Sequence, residues 1–403
     1  MPKNVVDVFA SSARVGTLAR SDIEPDTFLF DYASGCTDGN AVSLTMPVIR
    51  DQYDSMGTLH PIFEMNLPEG LLRAKLEQMF SKVAPDFDAL SMLQIIGKSQ
   101  IGRLRYSAAG TALEQVPTQS VDALLSYQGA EDLFNDLLDR FAQYSGISGM
   151  QPKVLIRAEV QPLARLTYQG ATHIVKSFNP HEFHELAANE FFCMAASRHA
   201  GLPTANVQLS ENRTMLVVER FDLRNGEYLG FEDFCVLSGM RAGGRYHSSY
   251  EALAERIEQY VSPEHYAESM AHYFGTVVLA CVIRNGDAHL KNFGVLYDTP
   301  GAAVRLAPVY DMLSTKPYQP KDVLALALDG SKSYPTRKQL IQFGRQACKL
   351  SQGRVNTIME QVVAGVTQAI ADMKNYTEQH PDFENTAAHL RTAFDEGMES
   401  VTG

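Results

Sequence analysis

Several features that mark exported or membrane proteins are missing from this chain of 403 residues. No apolar run is long enough to cross a bilayer, and the first residues lead into polar sequence without an apolar signal core. The five cysteines are scattered and lack CxxC spacing, which is typical of reduced thiols in a cytosol. We therefore expect a cytoplasmic protein that does not associate with membranes.

Negative charge outweighs positive charge in this chain, and the formal net charge is −12. Affinity for DNA comes largely from neutralised phosphates, and the chain has neither a helix-turn-helix pattern nor a lysine-rich tail. Binding of nucleic acid by this chain alone is therefore not expected. The cationic segment Arg241–Arg245 is either a solvated surface loop or a loop near the acceptor of a reaction.

What the sequence does contain is a cluster of oxygen-bearing side chains typical of phosphoryl transfer. Asp287 is followed five residues later by Asn292, and a Tyr-Asp pair ending in Asp311 comes about twenty residues beyond. Kinases use one carboxylate to orient the acceptor hydroxyl and two further oxygen ligands to hold Mg²⁺ against the phosphates of ATP. Asp287 fits the first role, and Asn292 and Asp311 fit the second. Lys291, in the same loop, could neutralise negative charge on the phosphoryl group during its transfer.

The sequence around this cluster favours a kinase-like arrangement. Ser262-Pro263-Glu264 predicts the start of a long helix that ends just before Asp287. The residues after Asn292 read as a strand, with residues 304–309 as its partner in a hairpin. Asn-Gly and Gly-Asp are also ordinary turn dipeptides, so the motif alone leaves a purely structural turn open.

A kinase also needs an upstream lysine and a loop that covers the phosphates. Lys176 lies in a β-rich run and could reach the phosphates, with Glu190 preferred over Glu185 as its partner from the following helix. The segment 145–156 contains Ser148, Gly149 and Lys153 before a strand, which suits a phosphate-binding loop as well as an ordinary hairpin turn. The apolar run 214–218 leads into a polar linker where a kinase hinge would offer backbone groups to adenine.

The predicted fold class is α+β: a protein-kinase-like bilobal fold with an extra N-terminal α+β module and a mostly helical C-terminal lobe. A strand meander and two helices are expected in the N-terminal module, at about residues 69–82 and 87–96 for the helices. The expected divisions are an N-terminal module 1–110, a linker and helix 111–139, a nucleotide-binding β-rich lobe 140–222 and a helical lobe 223–403.

Five stretches of this sequence together resemble the HipA family of bacterial toxin kinases. They are Ser148-Gly149-Met150-Gln151-Pro152-Lys153, Asn189-Glu190-Phe191-Phe192, Val218-Glu219-Arg220-Phe221-Asp222, Asn285-Gly286-Asp287-Ala288-His289-Leu290-Lys291-Asn292 and Leu306-Ala307-Pro308-Val309-Tyr310-Asp311. The stretch Phe63–Gly70 and residues 97–104 resemble the N-terminal module of that family.

This resemblance implies ATP- and Mg²⁺-dependent serine phosphorylation of a protein, typically an aminoacyl-tRNA synthetase, with arrest of growth. It implies that Asp287 is the catalytic base and that Lys176 and His289 contact the nucleotide. It further implies that Glu219 and Phe221 present hinge backbone to adenine. The expected partner is a HipB-like helix-turn-helix antitoxin, and operator DNA would be reached only through that complex.

The resemblance also implies self-regulation through a serine in the phosphate loop. The family's usual serine position is Gly146 in this chain, whereas some relatives carry a second serine at the position of Ser148. Ser148 is therefore the candidate autophosphorylation site, with Ser145 a weaker one, and self-regulation could also be absent.

Two other classes of function stay open at this stage. A small-molecule phosphotransferase on the same scaffold would share the Asp-to-Asn spacing but usually surrounds its acceptor with an acidic helical pocket. A non-catalytic scaffold that only binds an antitoxin would have no chemical need for Asp287, Asn292, Asp311 and Lys176 together.

Overall fold

The structure, a computed structural model, describes the following residues of the chain: 5–80, 87–113, 116–127, 133–147, 151, 153–158, 171–178 and 183–403. No helix within these ranges is both long and apolar enough to span a membrane.

The N-terminal residues form an antiparallel five-stranded sheet covered by helices. Its strands are β1 (Val5–Ala10), β2 (Ala13–Arg20), β3 (Thr27–Tyr32), β4 (Gln52–Met56) and β5 (Leu104–Ala108), in the order β4-β3-β2-β1-β5. The helices are α1 (Pro61–Glu64), α2 (Gly70–Phe80) and α3 (Ala89–Ile96). The meander and both helices match the prediction. Strand β4 was missed because it is polar and alternately exposed, and β5 because its partner β1 is distant in sequence.

A second sheet follows, in the order β6-β7-β8-β10-β9. Its strands are β6 (Thr118–Gln119), β7 (Lys153–Ala158), β8 (His173–Ser177), β9 (Val207–Leu209) and β10 (Met215–Glu219), and its helices are α4 (Val121–Leu125), α5 (Leu133–Phe141) and α6 (Leu186–His199). The polar segment before α5 is thus more than the expected linker, because β6 pairs in parallel with β7.

The remaining chain is mostly helical, as predicted. It begins with a two-stranded ribbon, β11 (Leu223–Arg224) and β12 (Glu227–Tyr228), and a three-stranded sheet, β13 (Gly230–Asp233), β14 (Gly294–Tyr297) and β15 (Arg305–Leu306). The helices are α7 (Phe234–Leu237), α8 (Tyr250–Tyr260), α9 (Pro263–Val282), α10 (Arg337–Gln346), α11 (Gln352–Gln379) and α12 (Glu384–Thr402). Helix α9 starts with Pro263 in its first turn, where a missing N–H costs no hydrogen bond.

Two large apolar cores hold these elements together. One is shared by the N-terminal sheet and the second sheet, and includes Val8, Phe63, Leu155 and Val217. The other fills the helical region and includes residues of α6, α9, α11 and α12. The N-terminal module is therefore packed onto the second sheet through a continuous core that crosses the boundary expected near residue 110.

Candidate active site

The loop that carries Asp287 follows the C-terminus of α9. The Asp287 N–H donates to Asn285 Oδ1 at 2.9 Å, which closes a tight turn. A Cβ atom at Gly286 would lie 2.0 Å from Asp322 Oδ2 and 2.6 Å from the Val323 carbonyl oxygen, so only glycine fits at this position. The turn is thus fixed by close packing of Gly286 against Asp322 and Val323.

Asp287 has an environment suited to a general base. Its Oδ1 atom accepts a hydrogen bond from the Tyr246 hydroxyl at 2.6 Å, and His289 Nε2 lies 3.9 Å from the same oxygen. Partial burial raises the pKa of Asp287 to about 6, against the opposing effect of the Tyr246 hydrogen bond. A base with a pKa near the working pH can hold and release a proton efficiently.

Lys176 lies at the centre of a buried charge cluster. Its Nζ atom is 2.5 Å from Glu190 Oε1 and 2.5 Å from Asp311 Oδ1. Burial alone would raise the pKa of Asp311, but the neighbouring lysine ammonium groups hold it well below its ordinary value. Of the two glutamates considered from sequence, Glu190 is the one in contact with Lys176, whereas Glu185 pairs with Arg213 at 2.9 Å.

Lys153 lies beside Lys176, because the two residues are paired across strands β7 and β8. Its side chain is buried, and burial lowers its pKa while Asp311 opposes that effect. Two lysines on adjacent strands at the wall of a cleft favour a polyanionic ligand such as a triphosphate.

Asn292 and Asp311 meet at the same end of the cleft. Asn292 Nδ2 donates to Asp311 Oδ2 at 3.2 Å, and Asn292 Oδ1 accepts from the His289 N–H at 3.1 Å. Asp311 adopts a left-handed backbone conformation with φ of +56°, which is uncommon for a residue other than glycine. Both side chains offer oxygen, the ligand that Mg²⁺ prefers, and the amide oxygen keeps a second lone pair. Asn292 and Asp311 are therefore the candidate Mg²⁺ ligands, and the Asn292 amide has to rotate for its oxygen, in place of its nitrogen, to face Asp311.

His289 is held neutral in this environment. Burial lowers its pKa to about 4, and its ring packs edge-on against Tyr246 at a centroid distance of 4.9 Å. Its Nδ1 atom is buried without a hydrogen-bond partner within the described ranges. A neutral imidazole donates a hydrogen bond from one ring nitrogen and accepts one at the other, but it adds no positive charge to a phosphate site.

The expected hinge follows β10. The Glu219 N–H already donates to the Asn206 carbonyl oxygen at 3.0 Å, so the candidate contact with adenine from this residue is its carbonyl oxygen. The Phe221 ring stacks on Tyr310 at 5.3 Å and thereby joins the hinge to the segment that precedes Asp311. The Gly102 N–H donates to Asp222 Oδ2 at 2.6 Å, which ties the hinge to the N-terminal module.

These residues enclose one cleft with about 1170 Å³ of empty space, including its open mouth. Its wall contains eight of the residues selected from sequence: Lys153, Lys176, Phe221, Asp287, His289, Lys291, Asn292 and Asp311. Glu219 is the exception, since its side chain is exposed and does not line the cleft. Ser148 and Gly149 lie outside the described residues. Apolar side chains including Ile174, Met194 and Val218 supply a wall suited to a flat base.

A second groove meets this cleft at Asp287. Three residues, Gln151, Tyr246 and Asp287, line both spaces. The rest of the groove combines apolar side chains with polar ones: Leu71, Phe178, Phe183, Leu186 and Leu313 on the one hand, and Thr315, Tyr318, Gln319 and Asp322 on the other. Asp287 thus lies where a group bound in the groove would approach a ligand bound in the cleft.

The stem of the expected phosphate loop is anchored to the N-terminal module. The Gly146 N–H donates to the Ser99 carbonyl oxygen at 3.0 Å, and a Cβ atom at Gly146 would lie 1.9 Å from the Gln100 side chain. Ser145 is fully buried, and its hydroxyl bonds to the Phe141 carbonyl oxygen at 2.7 Å. Phosphorylation of Ser145 would therefore require local unfolding, which argues against this weaker candidate.

Sequence reasoning missed several residues around Asp287. Tyr246 carries no motif, and it lies 41 positions from the carboxylate that it contacts. The sequence favours either a surface loop or a loop near the acceptor for the segment Arg241–Arg245. In the structure this segment leads directly into Tyr246, and Arg245 lines the cleft. Its charge was the one signal in the sequence that pointed to this region.

Two family models match most of this chain. The HipA N-terminal domain matches residues 6–107, and the HipA-like C-terminal domain matches residues 145–370. The chain belongs to the HipA family. The predicted family membership is therefore confirmed, and so is the predicted fold class.

Individual relatives of this chain carry kinase names. Y4dM of Sinorhizobium fredii, provisionally named as a kinase, is 27% identical over 363 residues, which cover 82% of this chain and 83% of the relative. The serine/threonine-protein kinase toxin HipA of Shewanella oneidensis is 25% identical over 348 residues, which cover 76% of this chain and 75% of the relative. Y4mE of Sinorhizobium fredii, also provisionally named as a kinase, is 31% identical over 185 residues, 43% of this chain, and the match spans only 42% of that relative.

A solved structure shows the same fold. HipA from Shewanella oneidensis MR-1, determined in a complex with HipB and operator DNA, superposes with a TM-score of 0.70 at 19% identity, covering 98% of this chain and 96% of that one. Kinase-named relatives and this fold make the chain a HipA-like member of a kinase family. The roles assigned to individual site residues stay predictions.

Proposed function

We propose that this chain is an ATP- and Mg²⁺-dependent serine/threonine protein kinase that acts as the toxin of a toxin–antitoxin pair. The observation that carries the proposal is the meeting of the cleft and the groove at Asp287, with Lys176 bridging Glu190 and Asp311 in the cleft. This arrangement would allow a triphosphate to bind on one side of a carboxylate and a hydroxyl-bearing acceptor on the other.

In this proposal Asp287 orients the acceptor hydroxyl and receives its proton on Oδ2, because Oδ1 is already bonded to Tyr246. Lys176 and Lys153 would bind phosphate oxygens, and Asn292 and Asp311 would hold Mg²⁺. Bound Mg²⁺ would neutralise charge that develops on the phosphates. His289 and Lys291 complete the nucleotide site, and the backbone at Glu219 and Phe221 binds adenine.

The groove favours a protein acceptor over a small molecule. A small-molecule phosphotransferase is expected to enclose its acceptor in an acidic helical pocket. Among the described residues of the groove, Asp322 is the one carboxylate besides Asp287, and five apolar side chains lie along it, of which Leu71 and Phe183 are partly exposed. Such a surface suits an extended peptide segment with an apolar side chain next to the acceptor hydroxyl.

The proposed partners follow from the relatives. Because the similar HipA was solved with HipB and operator DNA, we propose a HipB-like helix-turn-helix antitoxin for this chain, with DNA reached only through that complex. The proposed substrate is a component of translation such as an aminoacyl-tRNA synthetase, and the proposed location is the cytoplasm. The net charge of −12 supports an indirect contact with DNA.

The proposal is tested by incubating wild-type and Asp287→Asn proteins with γ-labelled ATP and Mg²⁺ in a cell lysate. We expect a labelled protein band with wild type only. Labelling of a small molecule instead would favour the phosphotransferase alternative. Expression without a partner should slow growth for wild type and not for Asp287→Asn, and equal toxicity of the two would contradict the toxin-kinase assignment.

A further inference from the structure

The N-terminal module contributes a charged side chain to the catalytic loop. Glu69, immediately before α2, places Oε1 2.7 Å from Lys291 Nζ and Oε2 2.8 Å from Arg245 Nη1. All three side chains are at least four-fifths buried, with exposed fractions of 18%, 11% and 16%. One carboxylate thus joins two cations that lie 176 and 222 residues away in sequence.

Both cations are coupled to Asp287. Lys291 belongs to the loop between Asp287 and Asn292, and its carbonyl oxygen accepts from the Tyr310 hydroxyl at 2.8 Å. The Arg245 carbonyl oxygen accepts a hydrogen bond from the Leu290 N–H at 3.2 Å. Arg245 directly precedes Tyr246, whose hydroxyl bonds to Asp287. Glu69 therefore holds both the loop that bears the base and the segment that bears its hydrogen-bond donor.

The module that carries Glu69 is itself fixed to the rest of the molecule. Glu232 of β13 is fully buried and accepts from the Ser43 hydroxyl at 2.6 Å and the Leu44 N–H at 2.8 Å. The Arg220 guanidinium donates to the Gln100 carbonyl oxygen at 2.8 Å. Glu69 is therefore held by a rigid support, as an orienting contact requires.

We propose that Glu69 is a positioning residue of the phosphoryl-transfer site: it holds Lys291 and the Arg245–Tyr246 segment so that Tyr246 stays bonded to Asp287. This inference rests on the proposed function and adds to it a catalytic role for the N-terminal module. Glu69 itself does not line the nucleotide cleft, whereas Lys291 and Arg245 do, so its loss should reduce the transfer step by a larger factor than it changes nucleotide affinity.

The test compares Glu69→Ala with Glu77→Ala, an exposed glutamate on α2 that pairs with Arg73. Turnover is measured with ATP and a degenerate serine-peptide mixture, and affinity with a non-hydrolysable ATP analogue and Mg²⁺. We expect Glu69→Ala to lower turnover roughly ten- to a hundredfold, as small misplacements of catalytic groups do, and by a larger factor than it changes analogue affinity. The loss should exceed that of Tyr246→Phe, because removal of Glu69 releases the loop that bears Lys291 as well as the segment that bears Tyr246. Glu77→Ala should match wild type.

A second readout is independent of activity: the ¹³C titration of the Asp287 carboxyl, assigned by its loss in Asp287→Asn. The charged and titratable groups around this carboxyl are Tyr246, Arg245, His289, Asp311 and Asp322. If Glu69 positions Tyr246, its removal should shift the titration to higher pH, in the same direction as Tyr246→Phe.

An unchanged titration, or a shift to lower pH from cations released toward Asp287, would overturn the positioning role. Unchanged turnover in Glu69→Ala would overturn it as well. If the alanine variant does not fold by circular dichroism, Glu69→Gln replaces it, since glutamine keeps the size and one acceptor oxygen. If wild type transfers no phosphate, the proposed function fails, and the titration still decides whether Glu69 positions the pair.

Discussion

Removal of the Tyr246 hydroxyl is expected to shift the pH dependence of phosphoryl transfer. The hydroxyl donates to Asp287 Oδ1 at 2.6 Å, and it stabilises the ionised carboxylate. Tyr246→Phe keeps the ring that packs on His289 and deletes only this donor. The pKa of Asp287, already raised to about 6 by burial, should therefore rise further.

The size of the shift follows from the exposure of the site. A hydrogen bond to a charged group contributes about 1.5–3 kcal/mol when it is well buried. The Asp287 side chain is 45% exposed, so solvent screening should reduce this to roughly half. Since one pKa unit corresponds to about 1.4 kcal/mol, the expected rise in the pKa of Asp287 is about half a unit to one unit.

The assay is the initial rate of transfer between pH 5 and 8.5 for wild type, Tyr246→Phe and a control, Tyr260→Phe. The Tyr260 hydroxyl bonds to the Leu237 carbonyl oxygen, away from the cleft. The acid limb of the profile should move to higher pH in Tyr246→Phe only, with little change on the alkaline plateau. A limb that stays in place, or moves to lower pH, would refute the assignment of Asp287 as a base assisted by Tyr246.

Three further predictions concern the base, the loop stem and the loop itself. Asp287→Ala should lose phosphoryl transfer and keep its affinity for the nucleotide. Asp311→Ala should lose transfer and also the Mg²⁺-dependent binding of the nucleotide, as measured by calorimetry. Near wild-type transfer by either variant would place the site elsewhere. Gly146→Ala should lower the free energy of unfolding in urea by about 1–3 kcal/mol, because the added Cβ atom would overlap the Gln100 side chain. The control Gly353→Ala should not lower it, since no atom lies within 4 Å of a Cβ at that position. Equal stability of the Gly146→Ala variant and wild type would show that the loop stem can relax. If Ser148 is self-phosphorylated, mass analysis after incubation with ATP should find phosphate on the peptide 145–153, and its absence while a lysate protein is labelled would eliminate this regulation.

The residues nearest the chemistry could be predicted because they lie close together in sequence. Asp287 and Asn292 share one short loop, and helix α9 before it has a clear start signal and apolar spacing. Lys176 stands in a β-rich run, and Asp311 follows a short apolar segment. Local patterns of this kind fix the element and the side chain together, which is why eight predicted residues line one cleft.

Other features depended on contacts that no local pattern encodes. The sequence favours Glu190 over Glu185 as the partner of Lys176, with a solvated helix glutamate as the alternative. The ion pair of Glu190 with Lys176 and the pairing of Glu185 with Arg213 decide this point only in the structure. Strand β13 was missed because its pairing with β14 joins residues more than sixty positions apart. Pairing of this kind is set by packing of the whole domain, so propensity alone does not reveal it.

The sequence by itself therefore determined the family, the fold class and the residues that carry the candidate phosphoryl-transfer chemistry. The tertiary structure decided which groups surround Asp287: Tyr246 from the segment before α8, and Glu69 acting from the N-terminal module through Arg245 and Lys291. The physical reason is that hydrogen bonds and ion pairs depend on distances of about 3 Å. Residues that are far apart in sequence reach such distances only when the chain folds.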